Sequence, residues 1–119
     1  MDKFSVSLPL TGEYLTTVRL TTGGLCALAG FDVDTAEDYK VCVTESLLML
    51  KRSGFITATI AFCVNGETLG CSVFGEESGG EKEDSMENQI SRALLSALVG
   101  EVAIEEDEDG GVKKIAFEV

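Results

Sequence analysis

Apolar and polar residues alternate near the start, middle and end of the chain, and between those runs apolar residues recur at helical spacing. Over Lys3 to Leu8, the side chains of Phe4, Val6 and Leu8 fall on one face, which predicts a strand that Pro9 ends. From Glu13 to about Ala29 the residues Tyr14, Leu15, Val18, Leu25 and Ala29 follow a helical period, with Thr11 as N-cap and Gly30 as stop. Gly23-Gly24 is a weak point in that helix, costing about 1 kcal/mol per glycine relative to alanine. A second helix is expected from a cap at Asp34 or Thr35, with Thr35-x-x-Asp38 approximating a capping box. It runs to about Arg52, where Lys51 and Arg52 suit the negative end of the helix dipole and Gly54 follows. Between Val41 and Leu50 it is apolar nearly all round, a pattern that implies burial on more than one side. Glu45 is the lone charge inside that stretch.

Asn65-Gly66 separates two alternating runs, the signal of a type I′ hairpin. Pairing Val64 with Glu67 sets Phe62 opposite Leu69 and Ile60 opposite Cys71. One face then carries Ile60, Phe62, Val64, Leu69, Cys71 and Val73, and the other Thr59, Ala61, Cys63, Thr68, Gly70 and Ser72. A sheet with one apolar face takes helices on that face and water on the other. Cys63 and Cys71 fall on opposite faces, which excludes a disulfide between them. Residues 75–87 read as an acidic loop. A third helix is expected over roughly Asn88 to Val99, with Ile90, Leu94, Leu95 and Leu98 on one stripe and Gly100 at its end. Two last strands, Glu101–Glu106 and Val112–Val119, are joined by an acidic, glycine-containing turn. The order β-α-α-β-β-α-β-β predicts an α+β fold: a two-layer sandwich with helices on one face of a mixed, mostly antiparallel sheet. A length of 119 residues suits one domain over 1–119.

A net charge of −12 argues against binding nucleic acid or an anionic membrane, because neutralising phosphate takes clustered Lys and Arg. The chain has no histidine, which removes imidazole catalysis and most zinc chemistry. The acidity suits a regulator that meets a basic partner; it also suits solubility alone. Cys26, Cys42, Cys63 and Cys71 form no C-x-x-C pair and sit among apolar residues, so they are expected as buried, reduced thiols, with no metal site. No apolar run approaches the roughly 18–20 residues that span a bilayer, and the N-terminus lacks the layout of a signal peptide. A cytoplasmic location is expected.

Three stretches carry a family resemblance over almost the whole chain. Ser7-Leu8-Pro9-Leu10-Thr11-Gly12-Glu13-Tyr14-Leu15-Thr16-Thr17-Val18-Arg19-Leu20 looks like the opening strand, proline and first helix of the anti-sigma-factor serine kinases, the small bacterial branch of the GHKL ATPases. Glu37-Asp38-Tyr39-Lys40-Val41-Cys42-Val43-Thr44-Glu45-Ser46 resembles the lead-in to that family's N-box. Leu94-Leu95-Ser96-Ala97-Leu98-Val99-Gly100-Glu101-Val102 and the acidic hairpin after it are similar to the end of the domain. The resemblance implies a Bergerat-type nucleotide fold, a homodimer joined near the first strand and helix, and a sigma factor or STAS-domain antagonist as partner.

The motifs that hold Mg·ATP in the family are degenerate here. Its N-box is E-x-x-x-N, in which the Glu activates the nucleophile and the Asn holds Mg²⁺. Glu45 matches, but the Asn position is Met49, a soft thioether where Mg²⁺ takes hard oxygen. The adenine motif D-x-G-x-G corresponds to Val73-Phe74-Gly75-Glu76-Glu77-Ser78-Gly79, so Gly75 replaces the adenine-accepting Asp, and Glu76 offers a carboxylate one residue on. The glycines that cradle phosphate correspond to the region Glu81-Lys82-Glu83-Asp84-Ser85-Met86-Glu87-Asn88-Gln89, which has no glycine and several carboxylates. Glu45 has two readings: a general base in the family's catalytic position, or a remnant acid hydrogen-bonded to a neighbouring helix or threonine.

Two functions compete. The first is a regulatory protein-interaction domain resembling an anti-sigma factor, with no cofactor. The second is an ATP-dependent serine/threonine kinase with divergent motifs, in which Glu76 or another acid serves adenine and Mg²⁺ finds a new ligand. A pocket for an unrelated small molecule is a third class, and no residue pattern specifies one.

Overall fold

The alternating run at the N-terminus forms strand β1 (Asp2–Pro9), and helix α1 follows over Gly12–Leu28. The computed structural model describes residues 1–83 and 85–119 of the chain. Helix α1 runs unbroken through Gly23-Gly24. At Gly23 a Cβ would stand 3.0 Å from Cε of Lys40, so glycine lets the lysine stem lie against α1. Thr11 occupies the N-cap position without a side-chain capping bond, and Gly30 leaves the helix at a φ of 78°.

Helix α2 spans Val33–Arg52. Its cap is Asp32, whose Oδ1 accepts from the amide of Thr35 at 2.8 Å, so the cap lies two residues before the expected Asp34. The near-continuous apolar surface of α2 meets α1 on one side and α3 on another, and its underside lies on the sheet. Tyr39, Leu47, Met49 and Leu50 are fully buried in this arrangement. Tyr39 also donates its hydroxyl to the carbonyl of Leu69 at 3.0 Å and packs between Phe31 and Phe117.

Beyond α2 come β2 (Ser53–Phe55), β3 (Thr57–Asn65), β4 (Thr68–Gly75), β5 (Ser78–Lys82), α3 (Ser85–Val99), β6 (Ala103–Glu106) and β7 (Val112–Glu118). The main sheet has the order β1-β3-β4-β7-β6, and each neighbouring pair is antiparallel. The α+β class, with helices on one sheet face, is the expected one. The pair β2-β5 is an addition, made from residues read as a helix end and an acidic loop. Its strands are short and glycine-rich, without apolar alternation; Gly54 adopts a φ of 97°, and a Cβ on Gly80 would lie 3.3 Å from the Gly54 carbonyl. Close backbone approach, rather than side-chain packing, explains this pair. Asp84, which belongs to the stretch read in place of the phosphate-cradling glycines, lies outside the described residues.

The hairpin between β3 and β4 puts the expected residues on the expected faces: Ile60, Phe62, Leu69, Cys71 and Val73 are buried beneath the helices. Its register is shifted by two from that read in the sequence. Asn65 pairs with Thr68, Val64 with Leu69, and Phe62 with Cys71, so the loop is Gly66-Glu67. Gly66 has a φ of 64° while no non-glycine among the described residues, Glu67 included, has positive φ, the pattern of a II′ turn rather than I′. A shift of two preserves parity, so no side chain changes face.

All four cysteines are free, with Cys26, Cys42 and Cys71 buried and Cys63 half-buried. Burial pushes the Cys42 thiol up to about 12, with the carboxylates of Asp38 and Glu45 adding to the rise. No helix among the described residues is long and apolar enough to cross a membrane.

Candidate functional site

Spacing along α2 puts Glu45, Met49 and Arg52 on neighbouring turns of one side, and α3 answers with Asn88, Ser91 and Leu95. Ser91 donates its hydroxyl to Oε2 of Glu45 at 2.8 Å. Oγ of Ser91 accepts in turn from Nη1 of Arg52 at 2.9 Å, and that nitrogen also reaches Oδ1 of Asn88 at 3.4 Å. Nε of Arg52 lies 3.1 Å from Oε2 of Glu87. A hydroxyl has one proton and two lone pairs, so Ser91 can bridge carboxylate and guanidinium at once. The Arg52 side chain is 14% exposed and Ser91 is buried, so the network lies largely within the α2–α3 seam.

Met49, which the family resemblance sets against the metal-holding Asn, is fully buried in the core. One turn on, Ser53 donates to the Met49 carbonyl at 2.9 Å and accepts from the Val112 amide at 2.9 Å, tying the end of α2 to β7. The donor set does not suit Mg²⁺: a buried thioether stands in the Asn position, and Glu45 is already bonded to Ser91.

Gly75 lies beneath the ring of Phe55. A Cβ at residue 75 would come within 2.4 Å of ring carbons, so no side chain fits there unless Phe55 moves. Glu76, the alternative acid, accepts from the Thr59 hydroxyl at 2.8 Å, and Thr59 in turn bonds Ser7. Thr59 faces the helix-free side of the sheet, opposite to Ile60, so Glu76 is not brought together with Glu45 and Met49. The structure thus gathers Glu45 and Met49 on α2, places Gly75 under Phe55, and sends Glu76 to the other face. Before α3, Glu81 and Glu83 are exposed, and Lys82 pairs with Asp109 at 3.5 Å.

Sequence reasoning missed Arg52, Asn88, Ser91 and Phe55. The helix dipole accounts for Arg52 in the sequence, yet the residue also lies seven positions from Glu45 and so on the same side of α2. The expected apolar stripe of α3 is corrected in part. Leu95 is buried and Leu98 half-buried, but Ile90 and Leu94 point to solvent because Ser91 takes the inward position facing Glu45 and Arg52.

No family model matches the chain. Among curated proteins it is similar to the serine-protein kinase RsbW of Listeria monocytogenes serotype 4a and that of Listeria innocua serovar 6a. Each is 37% identical over 54 residues, covering 45% of this chain and 34% of the relative. The match thus spans about a third of those relatives' length. Among solved structures it is similar to the crystal structure of the RsbU and RsbW domains of a Mycobacterium tuberculosis protein. The TM-score is 0.71 at 18% identity, over 99% of this chain and 31% of that one. Full-length structural likeness and the helix-over-sheet order agree: this chain has the GHKL fold of the anti-sigma-factor serine kinases.

Proposed function

We propose that this chain is a regulatory protein-interaction domain of the anti-sigma type, which holds a sigma factor or a STAS-domain antagonist and works without Mg·ATP and without kinase activity. The observation that carries the reading is the Glu45–Ser91–Arg52 network in the seam between α2 and α3. Phosphoryl transfer depends on positioning and on neutralising charge with metal and cations. Here the family's catalytic carboxylate is bonded to a serine, and the neighbouring guanidinium is bonded to protein groups. Phe55 over Gly75 removes room for an adenine acceptor, which supports the same reading. The acidic balance of the chain favours a partner with a basic surface.

Self-association and a cytoplasmic location belong to the proposal. The helix-free sheet face offers Ala61, Cys63 and Phe74 among small polar residues for a second copy. Light scattering at micromolar concentration that finds only a 12.6 kDa monomer removes the dimer.

The kinase reading rests on the likeness to the RsbW serine-protein kinases, and it requires a Mg²⁺ ligand in place of Met49 and an adenine acceptor in place of Gly75. The test is a binding titration of the chain against a sigma factor, with and without Mg·ATP, together with a phosphate-transfer assay on a STAS-domain protein. The proposal expects sigma-factor affinity unchanged by nucleotide and no phosphate transferred. Nucleotide-dependent affinity or a phosphorylated serine on the STAS protein replaces it with the kinase reading.

A further inference from the structure

Strand β7 carries a bulge where it pairs with β6. Glu105 lies opposite Lys114 and Glu106 opposite Val112, which leaves Lys113 as an extra residue. Val112 and Ile115 are both buried although three residues apart, a spacing that regular alternation does not allow. The bulge therefore sets two adjacent lysines off the core side of the strand, Lys113 exposed and Lys114 half-buried. With Phe55, Phe74, Gly75 and Glu105 they line a cavity of about 460 Å³ where β4 ends. Neither lysine forms an ion pair among the described residues. Neighbouring acids of the hairpin are engaged elsewhere: Glu106 by Arg92, Asp109 by Lys82, and Asp107 by the amides of Asp109 and Gly111. Two lysines against Glu105 leave the lining one positive charge, in a chain whose net charge is −12. A Cβ on Gly75 would stand 2.4, 2.4 and 2.5 Å from Cδ1, Cγ and Cδ2 of Phe55, so the glycine lies over the ring face and fixes it. Phe74 is in register with Lys114, which makes ring and ammonium neighbours on one sheet face.

We propose that this cavity binds a small aromatic monoanion, a flat ring bearing one carboxylate, with the ring against Phe55 and Phe74 and the carboxylate at Lys113 and Lys114. An apolar hollow with a few convergent polar groups is the usual form of a small-molecule site. Phenylalanine rings accept a second ring offset-stacked or edge-to-face, and an ammonium–carboxylate bond is charge-assisted. Charge selects the ligand: one surplus positive charge matches one carboxylate, whereas a polyphosphate meets Glu105 as well as the lysines. The site is separate from the Glu45 network. Phe74 and Lys114 stand in the row of Thr59, on the helix-free face, so Lys114 is turned away from Glu45 and Met49. The inference does not depend on the anti-sigma reading.

The probe is naphthoate, set against naphthylmethanol, naphthylmethylammonium and inorganic tripolyphosphate, with amide shifts mapped by NMR on the whole chain. Naphthoate is expected to shift Phe55, Phe74, Gly75, Glu105, Lys113 and Lys114 with a millimolar constant, the level that so small a ligand reaches. The neutral alcohol is expected to bind about fivefold more weakly or worse, and the cation and tripolyphosphate not to move these amides. Lys113→Met and Lys114→Met keep the apolar stem and remove the charge. Each is expected to weaken naphthoate by about threefold or more, while Lys51→Met on α2 leaves it unchanged. No shift at these residues in about 10 mM naphthoate overturns the proposal, whatever a sigma-factor titration gives. Equal binding of acid, alcohol and ammonium shows an apolar hollow that the lysines do not serve, and overturns it too. Equal shifts from tripolyphosphate show a site that reads charge without the ring, with the same consequence. The ligand series in the parent chain decides the matter even if a lysine variant fails to fold.

Discussion

Ser91 of α3 donates to Glu45 of α2 at 2.8 Å across the seam between the two helices. The hydroxyl also accepts from Arg52, so one serine holds a carboxylate and a guanidinium together.

Ser91→Ala leaves both partners short of a bond in a largely buried seam, and is expected to destabilise the chain by about 1–3 kcal/mol. The double variant Glu45→Leu with Ser91→Ala is expected to lose less than the sum of the single variants, with a coupling of about 0.5–3 kcal/mol. Urea unfolding of the four species measures this cycle. Strictly additive losses show that the bond contributes nothing of its own.

Gly75 and Phe55 form a second testable pair. Gly75→Asp introduces the residue that the family resemblance sets at this position but drives a Cβ into the Phe55 ring, and a loss of about 1–3 kcal/mol is expected from overpacking. Adding Phe55→Ala to Gly75→Asp relieves the clash, so the double variant is expected to lose less than its single changes sum to. A Gly75→Asp protein that melts with the parent places the ring elsewhere.

The hairpin faces were legible because alternation over Ile60–Val64 and Leu69–Val73 has only two phases, and one buries every large apolar side chain. Register was not, since Asn-Gly is a strong turn signal while a turn with Gly at its first central position is equally open to Gly66-Glu67. Strands β2 and β5 left no periodic trace because backbone approach at Gly54 and Gly80 makes them. On α3, four apolar residues at helical spacing invited one inward stripe, yet the polar groups Glu45 and Arg52 on α2 demand a polar residue opposite, which is Ser91. The position of Glu45 followed from local sequence. Its bonding partner is 46 residues away, and pairing at that separation is set by how α3 packs, which local spacing does not encode.

Alkaline pH is expected to weaken the fold in a defined window. Burial raises Cys42 from an ordinary 9.0 to about 12, and raises Cys26, Cys71 and Tyr39 as well. A folded-state value above the unfolded one means the unfolded chain releases its proton first. The stability from the protonated thiols is therefore complete below about pH 9 and is lost as pH rises toward 12. The urea midpoint is expected to hold from pH 7 to about 8.5 and to fall steadily above it. A midpoint constant up to about pH 11 contradicts burial of these groups.

The central claim is that a GHKL fold here serves protein binding without nucleotide, and calorimetric titration with Mg·ATP tests it most directly. Losing the adenine acceptor costs about 1.5–3 kcal/mol, and losing the hard metal ligand about as much again. Starting from a micromolar site near −8 kcal/mol, a loss of about 3–6 kcal/mol leaves a constant of about 0.2 mM at the tightest, and weaker over most of that range. The account predicts no measurable heat of binding at micromolar Mg·ATP and no rise in melting temperature there. A micromolar isotherm for Mg·ATP, abolished by Glu45→Ala, would contradict it.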